Sequence, residues 1–138
     1  MIYFLPNRTE TEAQLLKARR LIENPENWIK QQVKKGNSYC ANGACFEAGV
    51  HDIELPASFS SDDPNFYRGD LERESIPEAF WFLRLALSIL TQGDYENVGR
   101  FNDAPETQHE YVLMLFNVAL AFLRVEAVIR SEDALQAA

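Results

Sequence analysis

"YVLMLFNVALAFL", residues 111–123, decides the fold of this chain. The run holds no charge and a single amide, Asn117, so a helix built from it has no proper wet face. The surrounding sequence extends that helix from about Glu106 to Arg130. A second stretch, "SIPEAFWFLRLALSIL" (residues 75–90), is equally apolar, with only Glu78, Arg84 and Ser88 offering polar atoms between Pro77 and Leu90. Helices of this kind belong at the centre of a bundle. Two of them bury each other, or leave a patch for a second subunit.

Working outward, helix starts are written in a common chemical form. In a capping box the first side chain accepts from a backbone N–H of the first turn, and a Glu or Gln three residues on reaches back. Thr9…Glu12, Ser75…Glu78 and Asp103…Glu106 fit this pattern, and Asn24 followed by Pro25 fits a fourth start. The first helix, about Glu10–Glu23, brings Ala13, Leu16, Lys17, Arg20 and Leu21 near one another, with Leu15, Ala18 and Ile22 widening the apolar stripe. A second is expected over Pro25–Lys35, carrying Trp28, Ile29 and Val33 inward and ended by Lys34, Lys35 and Gly36. The expectation is therefore an all-α single domain over residues 1–138. It has four main helices, a short helix of small residues at 41–49, and a long acidic loop at about 51–74.

Composition bounds the function. With 138 residues, 46% hydrophobic, the chain has enough apolar side chain for a core. A net charge of −8 opposes nucleic acid, whose binding depends on Lys and Arg displacing counterions. The acidity is local: residues 1–35 hold seven Lys/Arg against four Asp/Glu, and residues 52–74 hold two against seven. Asp62, Asp63, Asp70, Glu72 and Glu74 make that segment a candidate surface for a basic protein partner. The N-terminal "MIYFLPNRTETEAQ" lacks the basic start and apolar core of a signal peptide. Phe80–Leu90 and Tyr111–Leu123 fall short of the ~18 residues that span a bilayer. A cytoplasmic location, reduced cysteines and no membrane contact are expected.

The segment "NSYCANGACFEAGVH", residues 37–51, gathers the reactive side chains. A cysteine nucleophile needs a base and a group to orient that base; Cys40, with His51 or His109 and with Asn102, could supply them. Metal is not expected: Cys40 and Cys45 lie off the usual zinc-pair spacing, His51 and His109 are far apart, and Asp62 and Asp63 do not form a calcium loop. No cofactor is expected either. As a helix, residues 41–48 place Ala41, Ala44, Cys45 and Ala48 on one face, and Cys40 and Cys45 roughly 140° apart. Gly43 within it costs about 1 kcal/mol relative to Ala, which implies a neighbour against its bare backbone. Glu110, Asn117 and Arg124 recur every seven residues, a polar stripe along an apolar helix that suits a pocket or a subunit interface and leaves a homo-oligomer open.

Trp28, Gly36, "YCANGA" (39–44) and "FNDAPETQHEYVLMLFNVAL" (101–120) together resemble a family of small bacterial and phage proteins of unknown function. Its pattern has Cys-x-x-Gly-Ala, matched by Cys40, Gly43 and Ala44. A later Trp-Asn-Asp precedes a Thr and a Val-Leu-rich helix, matched by Asn102, Asp103, Thr107, Val112 and Leu113. Phe101 stands where the pattern has Trp, and Glu110 lies one place further from Val112. The resemblance implies a cytoplasmic helical protein and no assigned activity. The functional expectation is a non-enzymatic interaction module, such as a phage or bacterial inhibitor or adaptor binding a host protein by its acidic segment or an apolar helix face. The alternative is a small thiol-dependent hydrolase or transferase with Cys40 as nucleophile.

Overall fold

The structure, a computed structural model, describes the backbone of residues 8–49 and 78–137 and the side chains of residues 9–49 and 78–129. It is mainly helical. Helix α1 (Arg8–Leu21) leads to a single 3-10 turn (Pro25–Asn27), then to a hairpin of β1 (Lys34–Lys35) and β2 (Ser38–Tyr39), and then to α2 (Ala41–Glu47). Helices α3 (Glu78–Leu90), α4 (Val98–Asp103) and α5 (His109–Ala137) follow.

The two apolar stretches form α3 and α5, and these pack on each other. Along α5, Val112, Leu115, Phe116, Ala119, Leu120 and Leu123 are buried, the i, i+3, i+4, i+7 signature of one helix face. They meet Ala79, Phe80, Phe82, Leu83, Ala86 and Leu87 of α3. Each large side chain so buried contributes about 1.5–3 kcal/mol. Helix α1 closes the other flank of α5 through Thr11, Leu15, Ala18 and Ile22. The expected stripe was therefore off-centre: Ala13 is exposed, Leu16 and Leu21 are half-buried, and the residues expected only to widen the stripe form its core.

The short helix stands where its alanines and glycines place it. In α2 every residue from Ala41 to Phe46 is buried. Gly43 lies against the hairpin so closely that a Cβ there would stand 1.8 Å from the Val33 carbonyl oxygen. Gly49, at φ +95°, ends the helix, its N–H donating to the Phe46 carbonyl at 3.0 Å.

Three helix expectations are overturned. The helix expected over Pro25–Lys35 is one 3-10 turn; Asn24 does cap it, accepting from the Glu26 N–H at 3.0 Å, but Trp28 is already extended. Distant partners take the backbone groups that a helix would have used. The Ile29 N–H donates to the Tyr39 carbonyl at 3.0 Å, the Cys40 N–H donates to the Val33 carbonyl at 3.2 Å, and Gln31 sits at φ +66°. Gly36, expected to end that helix, turns the hairpin at φ +62°. The capping box Asp103…Glu106 is absent, because Asp103 ends a separate helix, α4, capped by Asn97, and α5 starts only at His109. Thr9 lies inside α1, which is helical from Arg8, and Ser75 lies outside the described residues.

The Gly43 contact decides the sign of a substitution. Ala is the better helix former by about 1 kcal/mol, but the new methyl would meet backbone that cannot swing aside. Gly43→Ala is expected to destabilise the protein by roughly 1–3 kcal/mol, the cost of overpacking, measured by urea denaturation; a stabilised variant would refute the contact.

Candidate functional site

The residues that carry the family resemblance converge on one buried amide. Asn102, at the end of α4, has no exposed surface. Its Oδ1 accepts from the Trp28 indole Nε1–H at 2.7 Å and from the Ala41 N–H at 3.0 Å. Its Nδ2 donates to the Ile29 carbonyl at 3.0 Å and to Asp103 Oδ1 at 3.0 Å. Two acceptor sites and two donor hydrogens are the full capacity of an asparagine, so the group is saturated.

Around it, each neighbour satisfies another orphan. The Ala41 N–H is the first donor of α2 and lacks a helical partner; the Gly43 N–H, the next one turned inward, donates to Cys40 Sγ at 3.3 Å. Asp103 Oδ1 also accepts from the Gln31 N–H at 2.7 Å. Lys30 Nζ donates to the Ala104 carbonyl at 2.7 Å and lies 5.5 Å from the Trp28 ring centre. His109 also packs against Trp28, with ring centres 5.6 Å apart, and its Nε2 stands 2.6 Å from the Ile22 carbonyl, which can only accept, so that nitrogen carries the proton.

This cluster holds the structure together and offers little to a substrate. Asn102 was a candidate for orienting a base; it joins three segments, with none of its surface exposed. Cys40 and Cys45 are fully buried, and burial, reinforced by the neighbouring Cys40, pushes the Cys45 thiol far up. A buried neutral thiol is a poor nucleophile. Helix geometry and burial assign Cys40 to capping α2. His51 and the acidic residues Asp62, Asp63, Asp70, Glu72 and Glu74 lie outside the described residues.

The polar stripe on α5 lies along the contact with α1. Asn117 and Arg124 are exposed, not buried. Asn117 Oδ1 accepts from Arg19 Nε at 2.8 Å, and Arg124 pairs with Glu12 at 3.0 Å, both reaching across to α1. Glu110 is exposed on the same line. The stripe marks the border along which α1 lies on α5.

Beyond that border α5 is apolar and, among the described residues, uncovered. Tyr111, Met114, Val125, Val128 and Ile129 expose between 39% and 58% of their surface, and Trp81 and Ile89 of α3 are similarly open. At 1.5 Å per residue α5 is about 43 Å long, against about 20 Å for α1 and α3. Leu123 is the last buried residue of α5 among the described side chains. His109–Ile129, whose most apolar 18-residue window has mean hydropathy 2.1, is by length and composition sufficient to cross a membrane, which corrects the shorter span expected from the sequence; a third of that window is buried within the protein.

A cleft of about 350 Å³ lies where the α3–α4 loop meets the start of α5, lined by Leu90, Tyr95, Phe101, Glu106, Thr107 and Tyr111. Sequence reading missed it, since its walls come from three helices and two loops that only the fold brings together. The Tyr95 hydroxyl donates to the Glu106 carboxylate. That bond, then the Glu106 backbone N–H and nearby Lys30, holds Glu106 below the usual carboxylate range, and the same bond raises Tyr95. A second, larger cleft of about 750 Å³ is lined by Arg84, Ser88, Asp94, Asn97 and Arg100.

Two outcomes follow from these contacts. Asn102→Ala strands the Trp28 N–H, the Ala41 N–H and the Ile29 carbonyl, each costing about 1–3 kcal/mol when buried unpaired. Chemical denaturation is expected to show a loss of about 3 kcal/mol or more, and a loss under about 1 kcal/mol would contradict the latch. The folded state favours ionised Glu106, so its contribution is full above the unfolded carboxylate pKa and is lost as pH falls through the folded value. In Tyr95→Phe the Glu106 titration, followed by carboxyl NMR, should move back up; an unmoved titration would exclude Tyr95 as the cause.

No curated protein and no solved structure matches the chain. Residues 6–122 match a family of unknown function, DUF6197, a span that includes the Trp28–Asn102 latch and Tyr111 and Met114 of the uncovered face of α5 and ends before Val125, Val128 and Ile129. The chain therefore belongs to the family of unknown function DUF6197.

Proposed function

We propose that this protein is a non-enzymatic protein-interaction module of the cytoplasm that docks through the outer face of α5. The observation that supports it is the line of large apolar side chains, from Tyr111 to Ile129, left in water on a helix that outruns the elements packed against it. A soluble monomer rarely exposes more than a few hundred Å² of contiguous apolar surface. Most helical stability in proteins comes from packing of an apolar face, so the half of α5 beyond Leu123 gains order when covered. An inhibitor or adaptor of phage or bacterial origin is one form that such a module takes.

The residues proposed for catalysis do not favour a thiol enzyme. Cys40 has no surface through which to meet a substrate, and Asn102 has no free hydrogen-bonding capacity to orient a base. The acidic segment contributes charge nearby in sequence, but the reading rests on α5.

A photo-crosslinking amino acid placed at Val125 or Met114, and at the exposed Lys17 of α1 as a control, tests the reading in cells that express the chain. Adducts of discrete mass are expected at the two α5 positions and not at Lys17. Adduct yields equal at all three positions, or none at any, would rule out α5 as the docking face.

A further inference from the structure

On the basis of that reading, we infer that the occupant of the α5 face is a second copy of this chain, with the two α5 helices packed antiparallel. The spacing is the first reason. Tyr111, Met114, Val118, Ala121, Val125 and Val128 follow one another at intervals of three, four, three, four and three residues. That is an unbroken a/d seam over about 26 Å, the pattern whose partner is another helix. Every one of these side chains is exposed or half-exposed. Glu110, Asn117 and Arg124 each precede a first heptad position, so the polar stripe borders the seam on the side where α1 lies. Phe122 and Ile129 widen the seam on the other side.

Residue sizes set the direction. Antiparallel, centred between Val118 and Ala121, the layers pair Tyr111 with Val128, Met114 with Val125, and Val118 with Ala121. Each large side chain then faces a smaller one, as close packing requires. A parallel pair would stack Tyr111 on Tyr111 and Ala121 on Ala121. The overhang agrees: Val125 and Val128, beyond the last buried residue of α5, come to lie on the N-terminal half of the partner's helix, where Tyr111 and Met114 are open.

Area supports a copy of itself. Eight side chains of the stripe, about half exposed, present on the order of 600 Å² per chain, and a two-fold pairing of the stripe with itself buries on the order of 1,200 Å² in total, the lower bound of stable interfaces. A lipid surface fits less well. Helices that lie in a membrane interface carry Lys and Arg along the polar face, whereas here Glu110 and Asn117 border the seam with Arg124 tied to Glu12, and the chain carries −8.

Sedimentation equilibrium on the purified full chain tests this. The expected mass is twice 15.8 kDa at micromolar concentration. Val125→Glu and, independently, Val128→Glu are expected to weaken the dimer at least tenfold while leaving the helical circular dichroism unchanged. Under mild oxidation the double variant Met114→Cys/Val125→Cys should form an intermolecular disulfide, and the single variant Met114→Cys should not, because the two 114 positions lie far apart in an antiparallel pair. A monomer across the whole concentration range, a dimer untouched by either Glu variant, or equal crosslinking of the single cysteine overturns the proposal. So does flotation of the chain with phosphatidylcholine or phosphatidylglycerol vesicles that Val125→Glu abolishes. If the chain is monomeric but photo-adducts at Val125 form with another mass, the second copy fails and the interaction reading stands; with no adducts at all, both fail.

Discussion

The course of the chain from Trp28 to the first turn of α2 depends on the hydrogen-bonding capacity of one amide. Asn102 joins the extended strand at Trp28 and Ile29, the first turn of α2, and its own helix, and no smaller set of groups could do so. A serine has one donor and no geometry to bridge three segments; an aspartate has acceptors alone at neutral pH. Because the Asn102 amide is fully buried, its loss is costly, and bonds that share one amide behave as a unit and not as four separate contacts. The irregular course of residues 28–40 reflects both kinds of partner: the hairpin and the Ile29–Tyr39 and Cys40–Val33 bonds lie within it, and the Trp28 indole, the Ile29 carbonyl and the Gln31 N–H are satisfied by Asn102 and Asp103.

That dependence also explains what could be read from the sequence. The apolar cores of α3 and α5 are written in their own residues, as is the close approach at Gly43, where a helix-weakening residue required a reason nearby. The segment after Pro25 could not be read locally. Its helix start is real, yet Asn102 and Asp103, more than seventy residues on, hold its backbone extended. For the same reason Asp103 looked like a helix cap: the side chain that caps a helix is the same one that can accept from a distant N–H. The family-like residues Trp28, Cys40, Gly43, Asn102 and Asp103 meet at this point, so the resemblance followed a structural junction.

Helix α5 shows the opposite limit. An all-round apolar sequence says that a helix is covered on several sides, but not by what. Three of its sides were legible as a group, yet the burial of Val112, Leu115 and Phe116 and the exposure of Tyr111, Met114 and Val125 differ by rotation alone. The polar stripe, readable at its seven-residue period, identified the boundary between the two regions without saying which was inside.

The latch also orders events in time. Trp28 and Ala41 lie 74 and 61 residues before the amide that fixes them, separations that make this closure slow compared with helix formation within α3 or α5. During synthesis the first half of the chain leaves the ribosome long before residue 102 does, at about 5–20 residues per second. For those seconds α2 has no cap from α4, and its two thiols, sealed in the finished protein, are open to alkylation and oxidation. The cysteines that play no reactive part in the native state are thus the most reactive groups of the nascent one, and the cell's reducing capacity matters to this protein chiefly while it is being made.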